Sequence, residues 1–155
     1  NDVDKKISKK ELKEYARKFE YCQPGEQEKA IFVDPNGIVR KYISVIGSDD
    51  SSNTIHYYYD DHARIRFIFI ERADVHGWQS EHRVYFDETG KRFKENTKYV
   101  KGPQYFPPGI LEESKLASDP KKAFDSNNPN HALTTRHFIN IRNFILFGLY
   151  GITNF

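Results

Sequence analysis

The stretch Tyr57-Tyr58-Tyr59-Asp60-Asp61-His62-Ala63-Arg64-Ile65-Arg66-Phe67-Ile68-Phe69-Ile70 decides the fold. Aromatic and β-branched residues fill both halves, as they do in strands. Asp60-Asp61-His62-Ala63 breaks the run in the middle, so the stretch reads as a hairpin. A three-residue loop pairs Asp60 with Arg64, Tyr59 with Ile65, Tyr57 with Phe67 and Ile55 with Phe69. Paired residues share a face, so Ile55, Tyr57, Tyr59, Ile65, Phe67 and Phe69 form an apolar one. A two-residue loop would mix the faces, and a one-residue slip inverts every side chain. The opposite face is then His56, Tyr58, Arg64, Arg66, Ile68 and Ile70.

Similar patterns flank this hairpin. Asp34-Pro35-Asn36-Gly37 and Asp87-Glu88-Thr89-Gly90 both suit a type I turn followed by a left-handed glycine. The three Asp positions lie 26 and 27 residues apart, a short internal repeat. Hairpins are expected over 29–46, 54–71 and 81–95, giving an antiparallel meander of about six strands. In the first of them the same register puts Ile31, Val33, Val39, Ile43 and Val45 inward, with Lys41 as a lapse.

The run from Tyr57 to Ile65 locally resembles the YD-type repeats of large bacterial wall-associated and toxin-shell proteins. Their pattern is roughly Tyr-x-Tyr-Asp-x-x-Gly-Arg-Leu. Here Ala63 stands for the Gly and Ile65 for the Leu. The third hairpin keeps Asp87 and Gly90 but has Lys91 and Arg92 where Arg-Leu would stand. The resemblance covers residues 30–95 and is one of hairpin physics. It implies strand–turn–strand units and no particular activity.

Before the hairpins, Ser8 and Glu11 have capping-box spacing, with Ile7 and Leu12 as a hydrophobic staple. Leu12, Tyr15, Ala16 and Phe19 fall on one helical stripe, and Pro24-Gly25 stops the pattern. The spacing predicts a helix over 8–22 packed on the sheet. After the hairpins, 96–110 reads as an arm punctuated by Gly102-Pro103 and Pro107-Pro108-Gly109, with Tyr105-Phe106 plugging a sheet edge or serving in recognition. A short helix is expected over Ile110–Ala117, followed by a polar break that includes Asp119-Pro120 and Asn127-Asn128-Pro129-Asn130.

Residues 127–155 contain no Asp or Glu. They form an apolar segment, read as a helix with a strand pair as the alternative, that packs on the domain or on a partner. The expected fold class is therefore α+β: one domain over 1–126, an N-terminal amphipathic helix on a curved antiparallel meander, then the apolar C-terminal segment. Self-association through 131–155 is part of the same expectation.

Composition narrows the function classes. The chain has 24 Lys and Arg against 22 Asp and Glu, and the two arginines beyond residue 126 account for the excess. The neutral body gives no field that would favour nucleic acid. Cys22 is alone, so no internal disulfide can form. The chain starts at Asn1 and has no Met. That fits a cleaved signal peptide and an exported bacterial protein, secreted or periplasmic, with a cytoplasmic chain as the alternative. No run approaches the ~18 apolar residues of a membrane span.

Candidate chemistry is sparse. The run Arg72–Arg83 holds the lone Trp78 with His76 and His82, a composition suited to binding. His76, Glu81 and His82 could ligate zinc, but their spacing matches no metal motif, and no metal or other cofactor is expected. Arg40, Tyr42, His56, Tyr58, Arg64 and Arg66 interleave cations with aromatics on the outward face, which can grip an anion or an extended polymer. His56, Glu71, Glu81, His82 and Arg83 could supply the acid, base and charge clamp of a small ribonuclease-like hydrolase. The reading is a non-enzymatic module that binds a protein or extended polymer through the Trp78 hairpin and the Arg/Tyr face. The phosphodiester hydrolase is the alternative, and no residue is assigned as catalytic.

Overall fold

The computed structural model describes residues 2–18, 25–102 and 117–126, without the side chains of 25–27. A short helix, α1 (Asp2–Ser8), precedes seven strands: β1 (Lys13–Lys18), β2 (Gly25–Val33), β3 (Val39–Gly47), β4 (Ser51–Tyr59), β5 (Ile65–Asp74), β6 (Gln79–Phe86) and β7 (Arg92–Lys101). A second short helix, α2 (Pro120–Asp125), follows. Among the described residues the strands form one antiparallel meander in sequence order, with β1 and β7 at its edges. The α+β class and the helix-on-meander arrangement are as expected, and the sheet has a seventh strand.

That extra strand lies where a helix was expected. The helix runs over Asp2–Ser8, and within the expected helix over 8–22 Lys13–Lys18 instead pairs with β2 from Lys13↔Val33 to Lys18↔Glu28, while residues 19–22 lie outside the described residues. Ser8 closes the helix instead of opening one, its hydroxyl donating to the Lys5 carbonyl at 2.7 Å. Lys10 adopts left-handed backbone (φ 61), and the N–H groups of Lys10 and Glu11 return to the carbonyls of Ile7 and Lys6. This is a Schellman stop, here without glycine. Asp2 and Asp4 near the start of α1 and Lys5 and Lys6 near its end suit its dipole. Leu12, just before the strand, and Ala16 within it go to one face of the sheet and Tyr15 to the other. Ladder pairing along β2 is a gain that local helical spacing cannot anticipate.

The turns at Asp34, Asp60 and Asp87 are three-residue loops, as read from the sequence. In each, the Asp N–H donates to the carbonyl four residues on, and the residue three on donates back to the Asp carbonyl. The Asp Oδ1 accepts two further backbone N–H groups, for instance those of His62 and Arg64 at Asp60. Asp74-Val75-His76-Gly77 makes a fourth turn of the same kind between β5 and β6. The left-handed position is Gly37, Ala63, Gly77 and Gly90 in turn.

Beyond the loop the register departs from expectation. Tyr59 pairs with Ile65, but Tyr58 pairs with Phe67, leaving Arg66 as a one-residue bulge. From there Tyr57 faces Ile68 and Ile55 faces Ile70. The core residues of β5 are therefore Ile68 and Ile70, not Phe67 and Phe69. Arg40 and Phe93 are bulged at the same place in their hairpins. In the first hairpin this separates Ile31 and Val39 from Ile43, which turns to the other face with Phe32.

The sheet thus has two buried faces. One packs against α1, with Val3, Ile7 and Leu12 on Ala30, Phe32 and Ile43. Lys41, out of place in a one-sided core, lies on this α1 face and pairs with Asp4 at 2.7 Å. The other is the main core of Ile31, Tyr42, Ile55, Tyr57, Ile68, Ile70, Val84 and Phe86, which Phe124 of α2 joins.

Instead of a polar break, Asp119-Pro120 starts α2: the Asp119 carboxylate accepts the Lys122 N–H at 3.0 Å, and Pro120 occupies the first turn. The Lys29 ammonium, 2% exposed, donates to the Ala123 and Ser126 carbonyls at the end of α2. The arm expected over 96–110 begins as strand, since β7 runs to Lys101. Residues 103–110, nearly all of the helix expected over Ile110–Ala117, and the whole of 127–155 lie outside the described residues; Ala117 itself precedes α2.

Candidate functional site

The register sorts chemistry by face. On the α1 face, Lys41, Tyr58, Phe67, Tyr85 and Lys94 form one cross-strand row. Rings follow one another from Tyr58 to Phe67 (5.3 Å), Phe67 to Tyr85 (4.9 Å) and Tyr85 to the bulged Phe93 (6.3 Å). The row begins at α1, where Asp4 accepts from the Tyr58 hydroxyl at 3.2 Å, and ends at Phe93, which is 63% exposed. Burial, reinforced by the Asp4 carboxylate, raises the Tyr58 pKa, so the phenol stays a donor.

Cations edge this row. The Lys94 ammonium lies 5.4 Å from the Tyr85 ring centre, and Lys41 lies 4.6 Å from that of Tyr58. In the next row His56 stacks on Phe69 at 5.7 Å, and the Arg83 guanidinium covers the same ring at 4.8 Å. Glu71 and Glu81 follow one row further. Glu71 is 2.9 Å from His56 Nε2, and Arg83 donates to Glu81 at 2.7 Å.

On the opposite face, Trp78, just before β6, and Ser80 and His82 within it fall at alternate positions. Arg72 lies across from Ser80 on β5, and Tyr99 and Thr97 lie opposite Ser80 and His82 on β7. Trp78 is half-buried with its ring edge-on to Tyr99 at 6.4 Å. His82 Nδ1 is 2.7 Å from the Thr97 hydroxyl, and its Nε2 is 3.9 Å from Glu95. Burial lowers the His82 pKa; Glu95 opposes this, while Arg72 and Arg92 add to it. Arg72 itself is lowered by burial.

The residues singled out from the sequence divide among three places. His56 and Tyr58 lie together on the α1 face. Tyr42 is buried in the main core, stacked on Tyr57 at 5.5 Å. Arg40, Arg64 and Arg66 stand at the turn end instead of lining a face. Arg40 reaches Asp34 and Asp61, Arg66 lies 3.7 Å from Asp60, and Arg64 binds Asp60 and the Glu88 carbonyl. They lace the three Asp turns to one another.

Trp78 and His82 share the α2 side of the sheet, while His76 sits exposed in the adjoining turn. Of the hydrolase set, His56, Glu71, Glu81 and Arg83 share the α1 face, and His82 lies on the other. His76, Glu81 and His82 do not converge either. Among the described residues no three His, Cys, Asp or Glu side chains gather to hold a metal, and no helix is long and apolar enough to cross a membrane.

Phe67, Phe69, Tyr85, Phe93 and Lys94 were not foreseen as site residues. Only Phe93 carries a local signal, a lone aromatic between Arg92 and Lys94 on a polar strand. No protein-family model, curated protein or solved structure matches the chain.

Proposed function

We propose that the protein is a non-enzymatic binding module whose α1 face, across β5–β7, takes an extended protein segment that is apolar and acidic. The observation that carries this reading is the aromatic row from Tyr58 to Phe93. It begins anchored beneath α1, emerges into solvent, has Lys94 lying on its Tyr85 ring, and is flanked in the next row by Arg83 on Phe69. Aromatic and Arg side chains are the usual anchors of protein interfaces, and cations at the rim select acidic partners. Export from a bacterium belongs to the same reading.

Selection from a random peptide library tests it. Selected peptides should share acidic and aromatic or aliphatic residues. Phe93→Ala should weaken them by ~30-fold, the scale of a hot spot. Peptides that bind Phe93→Asp as well as the parent protein would refute the reading.

A second reading, a phosphodiester hydrolase, has one observation in its favour: the His56–Glu71 and Arg83–Glu81 pairs occupy adjacent rows of the same face. Turnover of RNA that survives in His56→Ala would exclude it.

A further inference from the structure

Among the described residues, three buried polar atoms at alternate positions along β6 and just before it make no hydrogen bond: Trp78 Nε1, Ser80 Oγ and His82 Nε2. Each can donate. Ser80 and His82 are 3% and 5% exposed. Burying a donor without a partner destabilises a fold, and buried polar groups are nearly always satisfied. Three at alternate residues 78, 80 and 82 therefore point to something that accepts from them.

The surroundings say what it is. Ser80 is small and ringed by longer side chains: Trp78 two residues before it, His82 two residues after it on β6, Arg72 opposite on β5 and Tyr99 opposite on β7. Arg72, Trp78 and Tyr99 are each partly exposed, whereas Ser80 and His82 are buried, so the floor is closed and the rim is open. Hydroxyl, indole and imidazole donors around a guanidinium suit an oxyanion, since charge-assisted hydrogen bonds are the strong ones. Two carboxylates lie close and each is engaged: Asp74 accepts the Trp78 backbone N–H at 2.9 Å, and Glu95 pairs with Arg92 and lies beyond His82.

We propose that Arg72, Trp78, Ser80 and His82 form a subsite over Ser80 for a small oxyanion, either a tetrahedral phosphate-type group or a carboxylate. This site is on the opposite face from the aromatic row and does not depend on it. The anion accepts from the Ser80 hydroxyl at the floor and the Trp78 indole at the rim, and the Arg72 guanidinium supplies the charge.

Trp78 is the only tryptophan, so its indole N–H gives one resonance in a 1H–15N spectrum of the full chain. Phosphate, sulfate and acetate are titrated against chloride at constant ionic strength. The expected result is a saturable shift of that resonance. Arg72→Gln should weaken it by about tenfold or more and Ser80→Ala by about threefold, while Phe93→Ala leaves it unchanged. Tighter binding of phosphate and sulfate identifies a tetrahedral group, and tighter binding of acetate a carboxylate.

No saturable shift with any of the three anions means that ordered water fills the place, and overturns the proposal. So does a shift that both Arg72→Gln and Ser80→Ala leave intact. If Arg72→Gln fails to fold, the Ser80→Ala titration decides alone. Loss of peptide binding in Phe93→Ala with an intact anion response separates this site from the proposed interface.

Discussion

Replacing Ala63 by glycine should stabilise the protein. Ala63 holds left-handed backbone (φ 58) where the other three Asp turns have glycine. That conformation costs an L-residue about 1–2 kcal/mol. Glycine returns part of the gain through its larger unfolded-state entropy, about 0.4–1 kcal/mol. The net expectation is a gain of about 0.5–1 kcal/mol. For a chain of 155 residues, that raises Tm by about 1–4 °C.

The reverse changes supply the control. An added Cβ at Gly37 or Gly90 meets nothing within 4 Å, so Gly37→Ala and Gly90→Ala should lose a similar amount through the backbone alone. Urea unfolding followed by Trp78 fluorescence and by far-UV circular dichroism measures all three, with an unchanged m value as the sign that only stability moved. The double variant Ala63→Gly/Gly37→Ala should return close to the parent, because the two loops are separate. If Gly37→Ala destabilises while Ala63→Gly does nothing or harms, the turn argument is wrong at Ala63 and its methyl group packs to some benefit.

Lys29→Ala should cost about 2–4 kcal/mol, since it strips the end of α2 of a buried charged donor. Hydrogen exchange should then show α2 amides exposed while β3–β6 stay protected. Gly102→Ala should destabilise more than Gly90→Ala, because φ is +81 and the new Cβ would sit 3.0 Å from the Trp78 Cα; the Trp78 emission should shift with it. His82 gives a pH dependence. Its folded pKa is lowered from 6.5 by burial, so below that value the unfolded chain takes up the proton more readily. The stability from the neutral imidazole is complete above 6.5 and is lost as pH falls toward the folded pKa, and His82→Gln should flatten that slope in denaturation measured from pH 7.5 to 5.

What was legible in the sequence was local. An Asp followed three residues later by Gly or Ala fixes its own turn by side-chain and backbone hydrogen bonds, so the loops at Asp34, Asp60 and Asp87 could be read directly. Asp74-Val75-His76-Gly77 has the same spacing and makes the same kind of turn as the hairpin connection before Trp78. Over Leu12–Lys18 the helical reading failed because Leu12, Tyr15 and Ala16 satisfy a helical stripe and also an extended segment buried on both faces. Only pairing with β2, a contact distant in sequence, separates the two. The candidate site was hidden for a related reason. Placing His56 beside Phe69, and His82 on the opposite face, requires the register of three strands at once.

The bulge at Arg66 is where fold and candidate function meet. In β5, Phe67, Ile68, Phe69 and Ile70 are all apolar, so alternation is silent about which pair faces the core. Without the bulge, Phe67 and Phe69 would lie with Ile55 and Tyr57 in the main core, and Ile68 and Ile70 would join His56 and Tyr58. One unpaired residue inverts that choice. It sends two compact branched side chains inward, where both are almost wholly buried, and delivers two rings to the α1 face. The same insertion at Phe93 places its ring against Tyr85. Between β2 and β4, residues on both faces are buried, partly against the helices. The exposed end of the row falls on β7, so the proposed interface lies on the half of the sheet whose aromatic row reaches solvent.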